Sequence, residues 1–165
     1  PRLWKDSNEA QKLILRAVEM ADFLKLTAGE LRFLTGCQDL EEGVKALLSL
    51  GVKNCVVTLG EKGAFFVNPL GGGFVPAFSV SAIDPVGCGD AFCAGILRGV
   101  VLQKFQKGNL IPVGKLGEMV VFASACGALT AQAWGGVSSF PSLTEVEKLL
   151  QESLPFRDSI FTPPR

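Results

Sequence analysis

The stretch AIDPVGCGDAFCA, residues 82–94, bears most directly on the fold and its chemistry. Gly87 and Gly89 bracket a cysteine, and Asp90 follows directly before small and apolar residues at helical spacing. Glycine allows backbone torsion angles that other residues resist, and it removes side chains that would block a close ligand. We therefore predict a turn whose successive amides, those of Gly87, Cys88, Gly89 and Asp90, point at one spot before a helix N-terminus.

Such a spot favours an anion, because the free N–H groups and the helix dipole both present positive charge there. Asp90 lies in the predicted first turn, where the dipole favours the ionised carboxylate. A carboxylate beside an anion-binding turn suits an enzyme that deprotonates a hydroxyl while negative charge passes to a phosphoryl group. The alternative is an ordinary helix start, and the local pattern taken alone favours that alternative.

The composition bounds the function. The chain has 165 residues, enough for one core-forming domain. Its 16 basic and 16 acidic residues cancel, so the charge gives no reason to expect nucleic acid or an anionic membrane as a partner. There is no histidine, which excludes His-dependent catalytic pairs and His-based metal sites within this chain. Proton transfer must therefore use Asp, Glu, Lys or Cys.

Other features concern the compartment. An odd number of cysteines without a CxxC pair indicates reduced thiols in a cytoplasmic protein. The chain begins PRLWKDS, without an initiator Met or a signal-peptide pattern, and we expect a segment that starts partway into a longer protein. The uncharged run from Met119 to Thr144 is long enough to span a bilayer. Its glycines and proline after Trp134 favour a buried helix followed by a loop instead.

Around the motif, helical and strand patterns alternate. Three helices are predicted before the motif: one that Ser7 caps, with apolar positions from 10 to 21, one at 28–35 that ends at Gly36, and one from Asp39 to Gly51. The motif helix and the buried helix follow. A last helix is predicted to start at Ser142 and Glu145. The predicted strands are 23–26, 54–59, 64–68 after the GEKG turn, and one around FVPAFSV (74–80) after the PLGGG loop. Short links between them indicate one α/β domain with a largely parallel, buried sheet. The tail, 156–165, is predicted to be loosely ordered.

Four stretches carry a resemblance to one family. DPVGCGDAFCAG (84–95) resembles the C-terminal signature of the PfkB, or ribokinase-like, carbohydrate kinases, usually Asp-x-x-Gly-x-Gly-Asp-x-Phe. KLTAGELRFLTG (25–36) resembles the family's Asn-x-x-Glu segment, VVTLGEKGAFF (56–66) its nucleotide-binding strand and hairpin, and 125–150 its closing helix, loop and final helix. RLW (2–4), followed by a helix and KLT, is similar to fructokinases and 2-keto-3-deoxygluconate kinases. The resemblance covers nearly the whole chain but corresponds to the C-terminal half of such a kinase.

The resemblance implies a ribokinase-like three-layer α/β/α fold with a mostly parallel central sheet. Residues 1–155 then form the C-terminal part of a kinase domain, and 156–165 form a tail. The implied activity is ATP-dependent phosphorylation of a sugar hydroxyl in the cytoplasm, with Mg²⁺ and, in many members, a monovalent cation such as K⁺. The expected partners are a sugar and ATP, with no nucleic acid and no membrane, and with either a homodimer or the missing N-terminal half completing the protein.

Roles carry over position by position. Asp90 matches the base that takes the proton from the sugar hydroxyl, and Gly87, Cys88 and Gly89 match the anion hole for the transferring phosphoryl group. Thr58 and Gly60 match the Thr-x-Gly that meets ATP phosphates or ribose. An ordinary strand end followed by a hairpin is the other explanation of that pair.

Metal roles carry over in the same way. Glu30 matches the glutamate of Asn-x-x-Glu, which organises Mg²⁺ through water, although Thr27 replaces the asparagine. Asp84 and Ser139, with nearby backbone carbonyls, match the monovalent-cation site. Glu30 is also explained as a solvated acid at a helix start, and Ser139 as part of a serine-rich turn.

Alternatives remain for the function and for two residues. A non-catalytic member that binds nucleotide or a regulated partner has no need of a base, so Asp90 argues against it. A kinase for another alcohol, such as a nucleoside or a keto-deoxy sugar acid, is not separated from a fructose kinase by these residues. Cys88 replaces the usual alanine, and packing explains it better than a nucleophile without a histidine partner. Trp134 matches a position near the adenine end of the nucleotide site, and an aromatic core plug explains it equally well.

Overall fold

The structure is a computed structural model that describes residues 4–153, so the tail predicted at 156–165 and most of RLW lie outside the described residues. The helices are α1 Ser7–Val18, α2 Ala28–Thr35, α3 Leu40–Ser49, α4 Cys88–Leu102, α5 Val113–Thr130 and α6 Leu143–Glu152. The strands are β1 Phe23–Thr27, β2 Asn54–Thr58, β3 Ala64–Asn68 and β4 Gly71–Val75. Short 3-10 helices at Gly60–Lys62 and Val137–Ser139 lie in turns.

The four strands form one mixed sheet in the order β1-β2-β3-β4. β1 and β2 are parallel, with Thr27 opposite Thr58, because α2 and α3 form the crossover between them. The other two pairings are antiparallel, because the turns at 59–63 and 69–70 are too short for a crossover. The α/β class is confirmed, and the expectation of a largely parallel sheet is corrected for these strands: one pairing is parallel and two are antiparallel.

Helices cover both faces of the sheet. In β2, Cys55 and Val57 pack into a core with α1, α2 and α3, whereas Val56 packs into a second core with α4 and α5. In β3, Phe66 belongs to the α4–α5 core and Phe65 packs against the other. Strands β2 and β3 thus bury side chains on both faces, which is the two-sided burial of a three-layer α/β/α protein. The predicted layer arrangement is confirmed.

Helix α5 accounts for the first part of the uncharged run. Within residues 4–153 it is the one helix that is long and apolar enough to cross a membrane, and 50% of that window is buried inside the protein. It packs against α4, β3 and β4 and ends before the glycine pair at 135–136. An added Cβ at Gly95 of α4 would come within 2.7 Å of Ala123 Cα, so the two helices pack closely. The structure agrees with a buried helix followed by a loop.

Several helix ends were predicted correctly. α2 ends at Gly36, which has the left-handed φ of 73°. α3 starts after Asp39, whose carboxylate accepts a hydrogen bond from the Glu42 amide at 2.9 Å, and Gly51 follows it with a φ of 105°. At α6, Ser142 forms the predicted capping box.

Two elements, α1 and β4, differ from the prediction by more than one residue. The cap of α1 is Asp6, not Ser7, because the Asp6 carboxylate accepts from the Asn8 amide at 2.8 Å, and the helix ends at Val18. β4 starts three residues before FVPAFSV, in glycines that the sequence assigned to a loop. A side chain at Gly72 would collide with the backbone of the paired strand, so glycine is required there. Pro76 follows the strand and has no N–H to continue the ladder.

Candidate active site

The predicted turn opens helix α4. Gly87 is the N-cap residue, has a left-handed φ of 84°, and places no side-chain cap on the helix. An added Cβ there would lie 2.8 Å from Gly136 Cα, so only glycine fits this contact between two loops. Asp90 is the third residue of α4, as the sequence predicted.

Three amides of this turn are open. Within residues 4–153, the N–H groups of Gly87, Gly89 and Asp90 have no hydrogen-bond acceptor. The Cys88 N–H instead donates to the Pro85 carbonyl at 3.3 Å, so it differs from the predicted set of four converging donors. Unpaired N–H groups and the helix dipole leave this end of α4 positive, which is the condition for binding an anion.

The Asp90 carboxylate is exposed and not engaged. In the part of the chain that the structure describes, it makes no side-chain hydrogen bond and no ion pair. The third residues of α2 and α6, Glu30 and Glu145, both accept from the N-cap backbone amide. Asp90 does not do so, and neither do Glu9 and Glu42 at the third positions of α1 and α3, but those two helices have an aspartate side chain as N-cap and α4 has no side-chain cap.

Asp84 joins the turn to the loop after α5. It is buried, and its Oδ1 accepts from the Val86 amide at 3.0 Å while its Oδ2 accepts from the Gly135 amide at 3.1 Å. Ser139 lies in the same loop, where its hydroxyl donates to the Gly136 carbonyl at 2.9 Å. A hydrogen bond thus links Asp84 to the loop that carries Ser139, and the cation site of these two residues stays a prediction.

The carboxyl ends of β1 and β2 bring Thr27 and Thr58 opposite each other. The Thr58 hydroxyl donates to the Leu26 carbonyl at 3.4 Å, and Gly60 follows with a φ of 62° in the hairpin turn. Glu30 accepts from the Thr27 amide at 2.6 Å, and the Thr27 hydroxyl accepts from the Glu30 amide at 3.2 Å. Glu30 is therefore a capping residue in this structure, which agrees with the helix-start explanation.

The five cysteines are free thiols. Burial raises the pKa of the Cys88 thiol, and the nearby Asp84 carboxylate raises it further, while a backbone hydrogen bond lowers it. A thiol with a raised pKa is a poor nucleophile at neutral pH, which supports the packing explanation.

Trp134 does not fill the core. Its side chain is 76% exposed, on the loop that also carries the exposed Val137. The core-plug explanation is wrong, and an exposed indole face is available to a planar ligand.

One residue of the site, Lys25, was not identified in the sequence analysis. Lys25 lies in β1 between Leu24 and Leu26, which pack toward α1–α3, so its side chain extends to the opposite face, where α4 lies. Its Nζ is 5.9 Å from the centroid of the Phe92 ring and 3.5 Å from the position that a Cβ would occupy on Gly89. In the sequence, the feature that could have indicated this residue is a single charged side chain within an apolar strand.

Other parts of the described chain offer less. No group of three or more Cys, Asp or Glu side chains that could hold a metal occurs within residues 4–153. A groove of about 270 Å³ lies between α3 and the β3–β4 hairpin, lined mainly by apolar side chains and glycines. It shares no residue with the turn, because α3 covers the face of the sheet opposite α4. The chemistry concentrates at the start of α4.

The fold and the site together place the protein in a class: three-layer α/β proteins in which one helix, here α4, starts without a side-chain cap and carries an unengaged acid, here Asp90. The sequence profile of the pfkB family carbohydrate kinases matches residues 1–143. The chain belongs to this family.

Relatives and solved structures agree. The chain is 37% identical to "Fructokinase-1" of Oryza sativa subsp. japonica over 152 residues, 92% of this chain and 46% of the rice protein. A double mutant of fructokinase from Vibrio cholerae O395, in its fructose-, ADP- and potassium-bound form, has a TM-score of 0.81 and 33% identity over 90% of this chain and 47% of its own. Aminoimidazole riboside kinase from Salmonella enterica, with its riboside and an ATP analog, has a TM-score of 0.78 and 29% identity over 90% of this chain and 48% of its own. The ribokinase-like fold is confirmed, and the chain spans about half the length of the relatives it matches.

Proposed function

We propose that the intact protein transfers a phosphoryl group from ATP to a sugar hydroxyl, as a fructokinase does. One observation carries the proposal: the start of α4 combines three open amides with an aspartate that caps nothing. No N-cap side chain covers these amides, whereas the N-cap side chains of α1, α2, α3 and α6 each accept an amide of the first turn. The similarity to fructokinases supports the choice of a sugar as acceptor.

In this proposal Asp90 is the general base. Its exposed carboxylate, free of hydrogen bonds within residues 4–153, is available to accept the proton of the acceptor hydroxyl. The amides of Gly87, Gly89 and Asp90 stabilise the charge on the transferring phosphoryl group. Cys88 contributes its place in the turn rather than its amide, which Pro85 occupies.

The nucleotide is proposed to lie along Thr58 and Gly60, at the carboxyl end of β2. Gly60 has open space around its Cα, so phosphate or ribose can approach the backbone closely. The exposed Trp134 is proposed to stack on the adenine base. Binding of ADP or an ATP analog by the two structural neighbours supports a nucleotide here.

The residues fit a magnesium ion that is held mainly by water and phosphate. Glu30 is exposed and supplies one carboxylate, and Mg²⁺ in nucleotide sites usually takes one or two carboxylates together with waters and substrate phosphates. When bound, the ion neutralises charge on the phosphates. Glu30 would hold it through water while keeping its hydrogen bond to Thr27.

The monovalent cation is proposed to lie near Asp84 and Ser139. Each carboxylate oxygen of Asp84 accepts a hydrogen bond from one amide and keeps a second lone pair. The Gly135 and Gly136 carbonyls lie in the loop that also carries Ser139. These oxygen donors fit K⁺ chemically. The potassium-bound form of the Vibrio cholerae enzyme supports the choice of ion.

The remaining assignments follow from the family. We propose that residues 1–155 are the C-terminal part of the kinase domain, that most of the sugar pocket lies outside this chain, and that the protein acts in the cytoplasm. A nucleoside-like acceptor is the second candidate, because the Salmonella enterica neighbour binds a riboside. A non-catalytic role is disfavoured, because a binding protein would have no use for the free Asp90.

A kinase assay with ATP and Mg²⁺ tests the proposal. The intact protein should phosphorylate fructose faster than 2-keto-3-deoxygluconate or a nucleoside, and added K⁺ should raise the rate. Residues 1–165 alone should show little turnover, because positioning the acceptor needs the rest of the sugar pocket. Faster turnover of the nucleoside would favour the second candidate, and no turnover of any acceptor by the intact protein would refute the kinase.

A further inference from the structure

Lys25 is placed where a bound anion would need it. It is half-buried on the α4 face of β1, and its Nζ lies near Gly89, one of the residues with an open amide. Because Gly89 has no side chain, only space separates the ammonium group from that end of the helix. The ammonium group also lies 5.9 Å from the Phe92 ring, which limits where it can move.

The positive charge of Lys25 lies beside the N-terminal end of helix α4. A helix N-terminus carries partial positive charge and destabilises a nearby cation. Within residues 4–153, the ammonium group of Lys25 forms no ion pair, with Asp90 or any other acid, and no hydrogen bond. An anion that enters the space beside Gly89 is attracted both by the ammonium group and by the helix N-terminus.

We propose that Lys25 binds the terminal phosphate of the nucleotide together with the amides of Gly89 and Asp90. The inference rests on the proposed function and adds a residue to its site. The ammonium group donates hydrogen bonds to phosphate oxygens and supplies a full positive charge beside the partial charges of the helix. It takes no part in proton transfer, which belongs to Asp90.

A structural role makes a different prediction. If Lys25 only packs its alkyl stem on Phe92, then Lys25→Met keeps that packing and changes nothing in ligand binding. If Lys25 binds phosphate, the same substitution weakens phosphate binding, and it leaves the melting temperature of the ligand-free protein equal or higher because a repulsion is removed.

Calorimetric titration of the intact protein with ATP, inorganic phosphate and adenosine separates the two roles. Lys25→Met should weaken ATP binding about ten- to hundredfold, the usual effect of one hydrogen bond between charged groups. It should weaken phosphate binding as well and leave adenosine binding unchanged. Lys25→Arg should restore most of the ATP affinity. Lys45→Met is the matched control, because Lys45 is an exposed lysine of α3 on the opposite face of the sheet.

Gly89→Ala provides a second test that leaves Lys25 in place. Its Cβ would meet only Lys25 Nζ, at 3.5 Å, so the variant should fold while narrowing the space for the phosphate. Unchanged ATP and phosphate binding in both Lys25→Met and Gly89→Ala would overturn the inference, even if the unsubstituted protein phosphorylates sugars. A protein that phosphorylates no acceptor but binds ATP in a Lys25-dependent manner would refute the proposed function and support this inference.

Discussion

Helices α2 and α4 both have an acid as their third residue, yet the two helix starts differ. At α2, Thr27 and Glu30 satisfy each other's backbone amides, so the helix start is closed. At α4, Gly87 brings no side chain and Asp90 accepts no hydrogen bond from its own backbone, so the start is open. The two acids therefore differ in local role: Glu30 caps its helix, and Asp90 does not.

The difference traces to the N-cap residue. Threonine carries an oxygen that accepts from the third amide of α2, and the longer glutamate reaches back to complete the box. Glycine provides no such oxygen, and its left-handed φ of 84° directs the chain past Gly136 into α4. The first amides of α4 therefore stay available for a ligand, whereas the third amide of α2 is occupied by its cap.

The largest expected effect separates the open start from the closed ones. Asp90→Asn in the intact protein should lower kcat by about 10²–10⁴, the usual contribution of a positioned base. ATP affinity should change little, and the melting temperature should fall only slightly, because the carboxylate caps nothing within the described residues and loses only its interaction with the helix dipole. Enzyme kinetics, nucleotide titration and thermal unfolding on the same variant measure all three.

Ser142→Ala is the control for that substitution. It removes a cap at the closed start of α6 and should cost about 1 kcal/mol of stability while leaving kcat unchanged. If Asp90→Asn behaves in this way, with lost stability and normal turnover, the start of α4 is an ordinary cap and the comparison between the two helices fails.

The second prediction concerns the contact that shapes the open start. Gly87→Ala should lower the free energy of unfolding by roughly 2–4 kcal/mol, because left-handed strain adds to a collision with Gly136. Gly108→Ala is matched to it, with a φ of 83° and nothing within 4 Å, and should cost only about 1 kcal/mol. Urea unfolding of both variants gives the difference. Equal losses of unfolding free energy in the two variants would mean that the contact between Gly87 and Gly136 contributes nothing to stability.

A smaller effect is expected at Asp84. Asp84→Asn replaces one of two buried acceptors with a donor that faces a backbone amide, and should cost about 1–3 kcal/mol. Asp22→Asn keeps the single oxygen that accepts from the Gly108 amide and should cost about 0.5 kcal/mol or less. Thermal unfolding compares them, and a neutral Asp84→Asn would show that the two loops are held together without it.

The smallest effect is expected at Cys88. Cys88→Ala keeps the backbone of the turn and removes a thiol whose pKa burial raises, so kcat in the intact protein should fall by less than about tenfold, equivalent to ~1.4 kcal/mol of barrier. Steady-state kinetics measures it. A larger loss would require a role for the thiol itself.

Local signals predicted much of the fold. Gly36, Gly51 and the Ser142–Glu145 pair mark helix ends with short-range chemistry, and the structure confirms them. The motif also placed Asp90 correctly in the first turn of α4.

The misses have physical reasons. The start of β4 was predicted three residues too far along the chain, because glycine has a low strand propensity. The close contact with β3 that requires glycine cannot be read from the sequence. Lys25 was missed because its approach to Gly89 depends on how α4 packs over β1. The bond from the Cys88 amide to Pro85 depends on the shape of the turn, which composition does not determine.

The central claim is that the amides at the start of α4 are held open for a phosphate group. Nuclear magnetic resonance of the ¹⁵N-labelled intact protein, titrated with a non-hydrolysable ATP analogue, tests it most directly. The amide protons of Gly89 and Asp90 should move strongly downfield as they bind phosphate oxygens, while the Glu145 amide, already bonded to Ser142, should not move. Saturable nucleotide binding that leaves the Gly89 and Asp90 amides unshifted would contradict the claim.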